Sequence, residues 1–297
     1  MQMSFWIPVF IASLFPYYVF SVTKTRENCM ITKCFNNGMM NYYKELNCRP
    51  VYGNEPCCPI RYDCSILLGR RTDRCYYHGI EYKLKSEIPM SALHKCLANC
   101  KCYPNGNSAK FDCAIVECPE DLIPPTDETC RPKYSKDSCC STSTICIKNQ
   151  TDAWTQKLFK CELEGRTYYE GERFAPEGKC KTCYCEQGYD GSTNGPWCED
   201  ISCNMELRAG SMISNGCAPV FYSPYGMCCP MEWQCPSEKD VVMQDSYSKM
   251  DSGLGLKDND GCFFGNQSLS LHDKVLIKES KTECTCILPP HVTCIMK

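Results

Sequence analysis

Apolar positions in this chain are sparse and fall mostly in short runs. The longest opens it, from Phe5 to Phe20, interrupted by Pro8 and Pro16. It is short and broken for a membrane span, and Val19-x-Ser21 offers the modest side chains a signal peptidase accepts. Residues 1–21 are therefore predicted to be a signal peptide, although no Lys or Arg precedes the apolar run. Further on, Tyr-rich stretches such as Thr167-Tyr-Tyr-Glu170, bounded by Gly165 and Gly171, predict short antiparallel strands. Helices are not expected beyond the signal peptide. No later stretch is long and apolar enough to cross a bilayer, so the mature protein is expected to be soluble. Residues 236–261, rich in Ser, Asp, Lys and Gly, predict a flexible linker, and residues 147–160 a shorter connector.

Composition changes this picture from a sparse fold to a stapled one. Of 297 residues, 30 are cysteine, a proportion that marks a disulfide scaffold in an oxidising compartment. With Cys and the 18 Tyr set aside, too few aliphatic residues remain for one large core. Several small modules are expected instead. The net charge of −3 and the lack of long basic runs argue against a nucleic-acid or polybasic membrane surface.

The cysteines repeat in one frame. Adjacent pairs stand at Cys57-Cys58, Cys139-Cys140 and Cys228-Cys229, each followed after five residues by Cys64, Cys146 or Cys235. A lone Cys48, Cys130 or Cys217 precedes each pair, and before it come Cys29/Cys34, Cys113/Cys118 and Cys198/Cys203. An upstream half recurs as well, in Cys100-x-Cys102, Cys183-x-Cys185 and Cys284-x-Cys286. These sit behind the openings Cys75-Tyr-Tyr-His-Gly79, Cys161-Glu-Leu-Glu-Gly165 and Cys262-Phe-Phe-Gly265. Cys96 and Cys180 complete the two middle copies, and Cys294 ends the last. Every cysteine belongs to the frame.

This ten-cysteine spacing, with its Cys-x-x-Cys-x-Cys middle and Cys-Cys-x5-Cys close, resembles the von Willebrand factor type C module of chordin-like, crossveinless-2-type and kielin-type secreted proteins. The stretch Cys161-Glu-Leu-Glu-Gly-Arg-Thr-Tyr-Tyr-Glu-Gly-Glu-Arg-Phe174 is similar to the family's opening hairpin. The second copy departs from the pattern, with three residues between Cys96 and Cys100 and Lys85-Ser-Glu-Ile88 in place of a Gly-Glu-aromatic step. The resemblance implies a small disulfide-rich, mostly β fold of tandem modules. These would be a partial back half at 22–70, complete modules at 71–146 and 161–235, and a partial front half at 262–297.

The family's pairing scheme implies Cys75–Cys102, Cys96–Cys139, Cys100–Cys113, Cys118–Cys140 and Cys130–Cys146 in the first complete module. In the second it implies Cys161–Cys185, Cys180–Cys228, Cys183–Cys198, Cys203–Cys229 and Cys217–Cys235. The truncated ends would close as Cys29–Cys57, Cys34–Cys58 and Cys48–Cys64, and as Cys262–Cys286 and Cys284–Cys294. Both ends hold even numbers of cysteines, so each half is expected to close on itself rather than to complement the other.

Two glycan acceptor sequences occur, Asn149-Gln-Thr151 and Asn266-Gln-Ser268, and both are expected to be used in a secreted chain. Gly69-Arg70-Arg71 is read as a solvated linker rather than a dibasic processing site. Cysteine clusters can bind soft metals, but here disulfides are expected to claim every thiol. No metal, cofactor or catalytic residue is predicted, and none of His78, His94, His272 and His291 is spaced with cysteines as in a zinc finger. What remains is recognition of extracellular proteins. The resemblance implies binding of bone morphogenetic protein or transforming growth factor-β class ligands through front-half side chains. Those positions are Tyr76, Tyr77, Ile80 and Tyr82, then Tyr168, Tyr169 and Phe174. A structural matrix component is the alternative, with a protease inhibitor or an immune-recognition protein less favoured. Trp197 and Trp233, beside cysteines, are read as packing residues.

Overall fold

The computed structural model describes residues 34, 37–54, 57–123, 127–147, 156–222, 227–244, 261–277 and 282–296. The expected signal peptide, Cys29 with its bridge to Cys57, and Asn149 lie outside them. The fold is mostly β, built from short antiparallel strands and held by fourteen disulfides between described residues. They join fourteen of the fifteen pairs named above, all but Cys29–Cys57. Each stabilises by about 2–4 kcal/mol, chiefly by restricting the unfolded chain. Among the described bridges, Cys96–Cys139 and Cys180–Cys228 are the ones that cross from residues before Cys118 or Cys203 to residues after them within a complete module.

Three front halves repeat one design. Each opens with a hairpin: Cys75–Tyr77 with Ile80–Tyr82, Lys160–Leu163 with Arg166–Tyr169, and Cys262–Phe264 with Gln267–Leu269. The two-residue turns are His78-Gly79, Glu164-Gly165 and Gly265-Asn266. The first two keep both residues at positive φ, and the third keeps Gly265 there, which suits the twist of paired strands. Strand alternation then sends Tyr77, Leu163 and Phe264 inward and leaves Glu162 and Phe263 outward.

Downstream, the backbone N–H groups of Lys85, Gly171 and His272 donate to the carbonyls of Cys102, Cys185 and Cys286, each at 2.7 Å. Return bonds run from the Cys102, Cys185 and Cys286 N–H groups to Ser86, Glu172 and Asp273. All three donor residues hold positive φ, at 69°, 81° and 72°. Lys85 and His272 thus adopt the conformation for which Gly171 is suited.

The back halves contain helices, contrary to the sequence expectation. Each follows the cysteine that opens its half: α1 (Asn37–Glu45) after Cys34, the short α2 (Pro119–Leu122) after Cys118, and α3 (Met205–Ser214) after Cys203. Met39, Tyr42 and Tyr43 of α1 and Leu46 just after it fall at helical spacing and are all buried. A hairpin follows each helix: Arg49–Tyr52 with Pro59–Asp63, Cys130–Lys133 with Ser143–Cys146, and Ala218–Phe221 with Glu232–Gln234.

The halves also pack across copies. Leu207 of α3 enters the core of the first complete module, beside Tyr77, Tyr82, Ile88 and Phe111. The back half of that module lies on the front half of the next. Lys133 pairs with Glu170 at 2.5 Å, Arg131 pairs with Glu172, and the Tyr134 N–H donates to the Gly171 carbonyl at 2.8 Å. A Cβ on Gly171 would stand 3.1 Å from the Lys133 Cα and 2.4 Å from its Cγ, so close approach adds to the φ requirement there.

The C-terminal half shares a sheet with the second complete module. A six-stranded sheet runs Glu232–Gln234, Ala218–Phe221, Thr293–Met296, Thr282–Thr285, Lys274–Leu276, Val241–Met243. Its one parallel contact joins the second complete module to the C-terminal half, with Val220 opposite Cys294 and Phe221 opposite Ile295. Val241–Met243, inside the expected linker, is an edge strand of this sheet.

The N-terminal half covers the junction. The Tyr43 hydroxyl donates to the Leu288 carbonyl at 2.7 Å and accepts from the His291 N–H at 2.9 Å, while the Tyr62 N–H donates to the Pro289 carbonyl at 2.8 Å. Asn41, buried, donates to the carbonyls of Ile201 and Cys228. The expectation of self-contained end halves therefore needs correction. Their described disulfides do close internally, but each half leaves an apolar face that only the other parts of the chain bury. Those faces form one core of Met39, Tyr42, Tyr43, Leu46, Tyr62, Met205, Phe221 and Leu288.

Candidate protein-binding surface

The seven side chains expected to contact a ligand divide by strand geometry. Tyr77 and Tyr82 are buried, because alternation points both toward the core that holds the Cys75–Cys102 bridge. Tyr82 meets Phe111 edge-on at 5.5 Å. Phe174 is buried as well, stacked on Tyr168 at 3.9 Å and edge-on to Tyr189. These three are core residues and cannot anchor a ligand, which corrects the sequence reading. Tyr168 is half-buried by the same stack. Tyr169 is half-buried beneath the Arg131 guanidinium, 5.2 Å from its ring, so contact between modules occupies it.

Tyr76 is also half-buried. The Arg70 guanidinium lies 4.6 Å over its ring, and its hydroxyl accepts from the Arg71 N–H and donates to Glu81. Ile80 alone of the seven is largely exposed, at 58%. It has company that the sequence reading missed. The short 3-10 turn Ser65–Leu67 sends Leu67 inward and Ile66 outward, and the Ile66 Cδ1 sits over Gly79 at 3.1 Å from an ideal Cβ there. Leu68 follows, 80% exposed. Three consecutive aliphatic residues flanked by Ser65 and Gly69 were the available signal. Their position before Cys75 placed them outside the cysteine frame.

A buried ion pair lies beside this surface. Arg70 and Glu206 are 2.7 Å apart, with side chains only 9% and 3% exposed, and the His78 N–H donates to the other Glu206 oxygen at 2.5 Å. Of Gly69-Arg70-Arg71, read as a solvated linker, Gly69 and Arg71 are exposed and only Arg70 departs from that reading. Arg70 is buried between two modules, and Arg71 is turned outward onto Asp73 at 2.7 Å. Nearby, Glu45 of α1 accepts from the Cys203 N–H and, at 3.0 Å, from the Met205 N–H at the start of α3. Burial raises the Glu45 carboxyl above its ordinary value, with those two donors opposing. His291 is lowered to about 4 by burial, its Nδ1 3.1 Å from the Tyr42 hydroxyl.

The sulfurs of Cys118, Cys139 and Cys140 lie within 4.8 Å of one another. They belong to Cys118–Cys140 and Cys96–Cys139, so none is a thiolate available as a metal ligand. Trp197 packs against the core around Phe174 and Tyr189, and Trp233 lies 6.1 Å from Tyr42. No helix among the described residues is long and apolar enough to cross a membrane.

Chordin-like protein 1 of Gallus gallus is similar to part of this chain. The two are 28% identical over 134 residues, covering 41% of this chain and 25% of the relative. The chain thus spans about a quarter of the length of the curated relative it matches. No family model matches the chain, and no solved structure matches it. Partial similarity to a chordin-like protein, together with fourteen bridges, is consistent with an extracellular cysteine-rich module protein.

Proposed function

We propose that this chain is a secreted, non-enzymatic protein that binds other extracellular proteins, with growth factors of the bone morphogenetic protein and transforming growth factor-β class as its ligands. The observation that carries the reading is the cluster of Ile66, Leu68 and Ile80. Ile80 lies on the disulfide-held hairpin, Ile66 sits over its turn at Gly79, and the exposed Leu68 leads on to Arg70 of the buried ion pair. Exposed apolar clusters on a rigid base suit protein interfaces, because little side-chain or loop entropy is lost on binding. Support also comes from the similarity to Chordin-like protein 1 and from a cysteine content suited to an oxidising compartment.

The test is a cultured-cell reporter driven by a growth factor of this class, with the purified oxidised protein added outside the cells. The reading expects a dose-dependent change in signal that Leu68→Asp removes. A protein that leaves the reporter unchanged and is retained in the insoluble matrix would instead be a matrix component.

A further inference from the structure

Three front halves raise the question of which one meets a partner. The outward position after the opening cysteine is Tyr76, Glu162 or Phe263, and the residue after the turn is Ile80, Arg166 or Gln267. The second complete module thus presents charged groups at both places. The C-terminal half is different, because Phe263 is 55% exposed. Left bare, it would form a second apolar spot on an equivalent hairpin.

We propose that Asn266 carries an N-linked glycan that covers Phe263 and leaves the hairpin of the first complete module as the apolar one open to a protein partner. The acceptor sequence Asn266-Gln-Ser268 straddles the hairpin turn. Asn266 occupies the second turn position, equivalent to Gly79 and Gly165, and is exposed. Ser268 is exposed and lies directly opposite Phe263 in the strand register, so both share the outward face while Phe264 and Leu269 point inward. Gln267 is turned away, its amide donating to the Asp240 carbonyl at 2.8 Å.

The acceptor Asn266 is thus exposed at the turn, two residues before the assisting Ser268, which faces the exposed Phe263 across the hairpin. The C–H face of the first sugars would lie on the Phe263 ring, an apolar contact for a ring that otherwise faces solvent. The chemistry needs a lipid-pyrophosphate-linked oligosaccharide as co-reactant in the secretory pathway. The Asn266 Nδ2 bonds to the anomeric carbon and gives up one proton to a base, while the bond from that carbon to the phosphate oxygen breaks and the lipid pyrophosphate leaves.

This inference rests on the secreted reading, and the experiment separates the two. The full chain is expressed in animal cells, and its secreted, fully oxidised form is treated with an amidase that removes N-glycans in 18O-labelled water, then mapped by mass spectrometry. Most Asn266 should convert to labelled Asp, and conversion should vanish in Ser268→Ala. Removing the glycan under native conditions should raise the fluorescence of an apolar dye, and Phe263→Ser should abolish that rise. Secreted chain with bare Asn266, or glycan removal without a dye response, would overturn this proposal alone. Chain retained in cells with free thiols would overturn the secreted reading with it.

Discussion

The Arg70 guanidinium lies 2.7 Å from the Glu206 carboxylate, and neither side chain reaches solvent to any extent. One belongs to the segment leading into the first complete module, the other to α3 of the second. This pair, with Leu207 beside it in the first module's core, converts two modules joined by a connector into one packed unit. Removing one partner leaves the other charge buried. Glu206→Ala should cost about 3–5 kcal/mol, whereas the double change Arg70→Met with Glu206→Leu should cost far less. Chemical denaturation of the oxidised protein checks this, and trypsin should cut after Arg70 much faster in Glu206→Ala than in the native chain.

Acid should loosen the contact between α1 and the segment around His291. His291 is held neutral by burial, at about 4 against the usual 6.5. The unfolded chain therefore binds the extra proton first as pH falls. The stability from the neutral ring is complete above pH 6.5, is lost progressively below it, and is gone near pH 4, on the order of 3 kcal/mol in all. The raised Glu45 carboxyl acts in the opposite sense, favouring the folded state as it takes up a proton. Melting temperature should fall between pH 6.5 and 4, and His291→Gln should flatten that part of the curve. An unchanged slope in this variant would refute the assignment.

The Tyr43 hydroxyl serves two backbone groups at once, donating to Leu288 and accepting from His291. Tyr43→Phe leaves both buried and unpaired, a loss of about 1–3 kcal/mol. Hydrogen exchange at the His291 amide should quicken in this variant, while amides of the first complete module should exchange as before.

One backbone site is occupied by three different residues, Lys85, Gly171 and His272, all at positive φ. Lys85→Gly should therefore be neutral or stabilising by up to about 1 kcal/mol. Gly171→Ala should destabilise by more than that, because its new methyl meets the Lys133 backbone as well. Thermal melts of the two variants should move in opposite directions or differ clearly in size.

The strand-rich, disulfide-held character of the fold was legible in the cysteine content and frame, and the bridges through the family resemblance that the frame carries. Helix α1 was legible too, but in a different signal. Met39, Tyr42, Tyr43 and Leu46 have a clear helical period between the flanking cysteines. Tyr77 could have been assigned to the core on the same logic, because it stands two positions from the inward Cys75 on one strand. The packing between copies was not legible. Arg70 with Glu206, Tyr43 with Leu288 and Val220 with Cys294 are joined by no sequence pattern. Each depends on which apolar faces remain after the modules close, and that is decided only in three dimensions.

The most direct test is surface plasmon resonance of the oxidised protein, with no free thiols by mass spectrometry, against a panel of bone morphogenetic protein-type dimers. The account predicts sub-micromolar binding that weakens at least about tenfold in Ile80→Asp and in Leu68→Asp, with the buried-core variant Phe174→Leu binding as the native protein does. No binding across the panel, or binding indifferent to both surface changes, would contradict it.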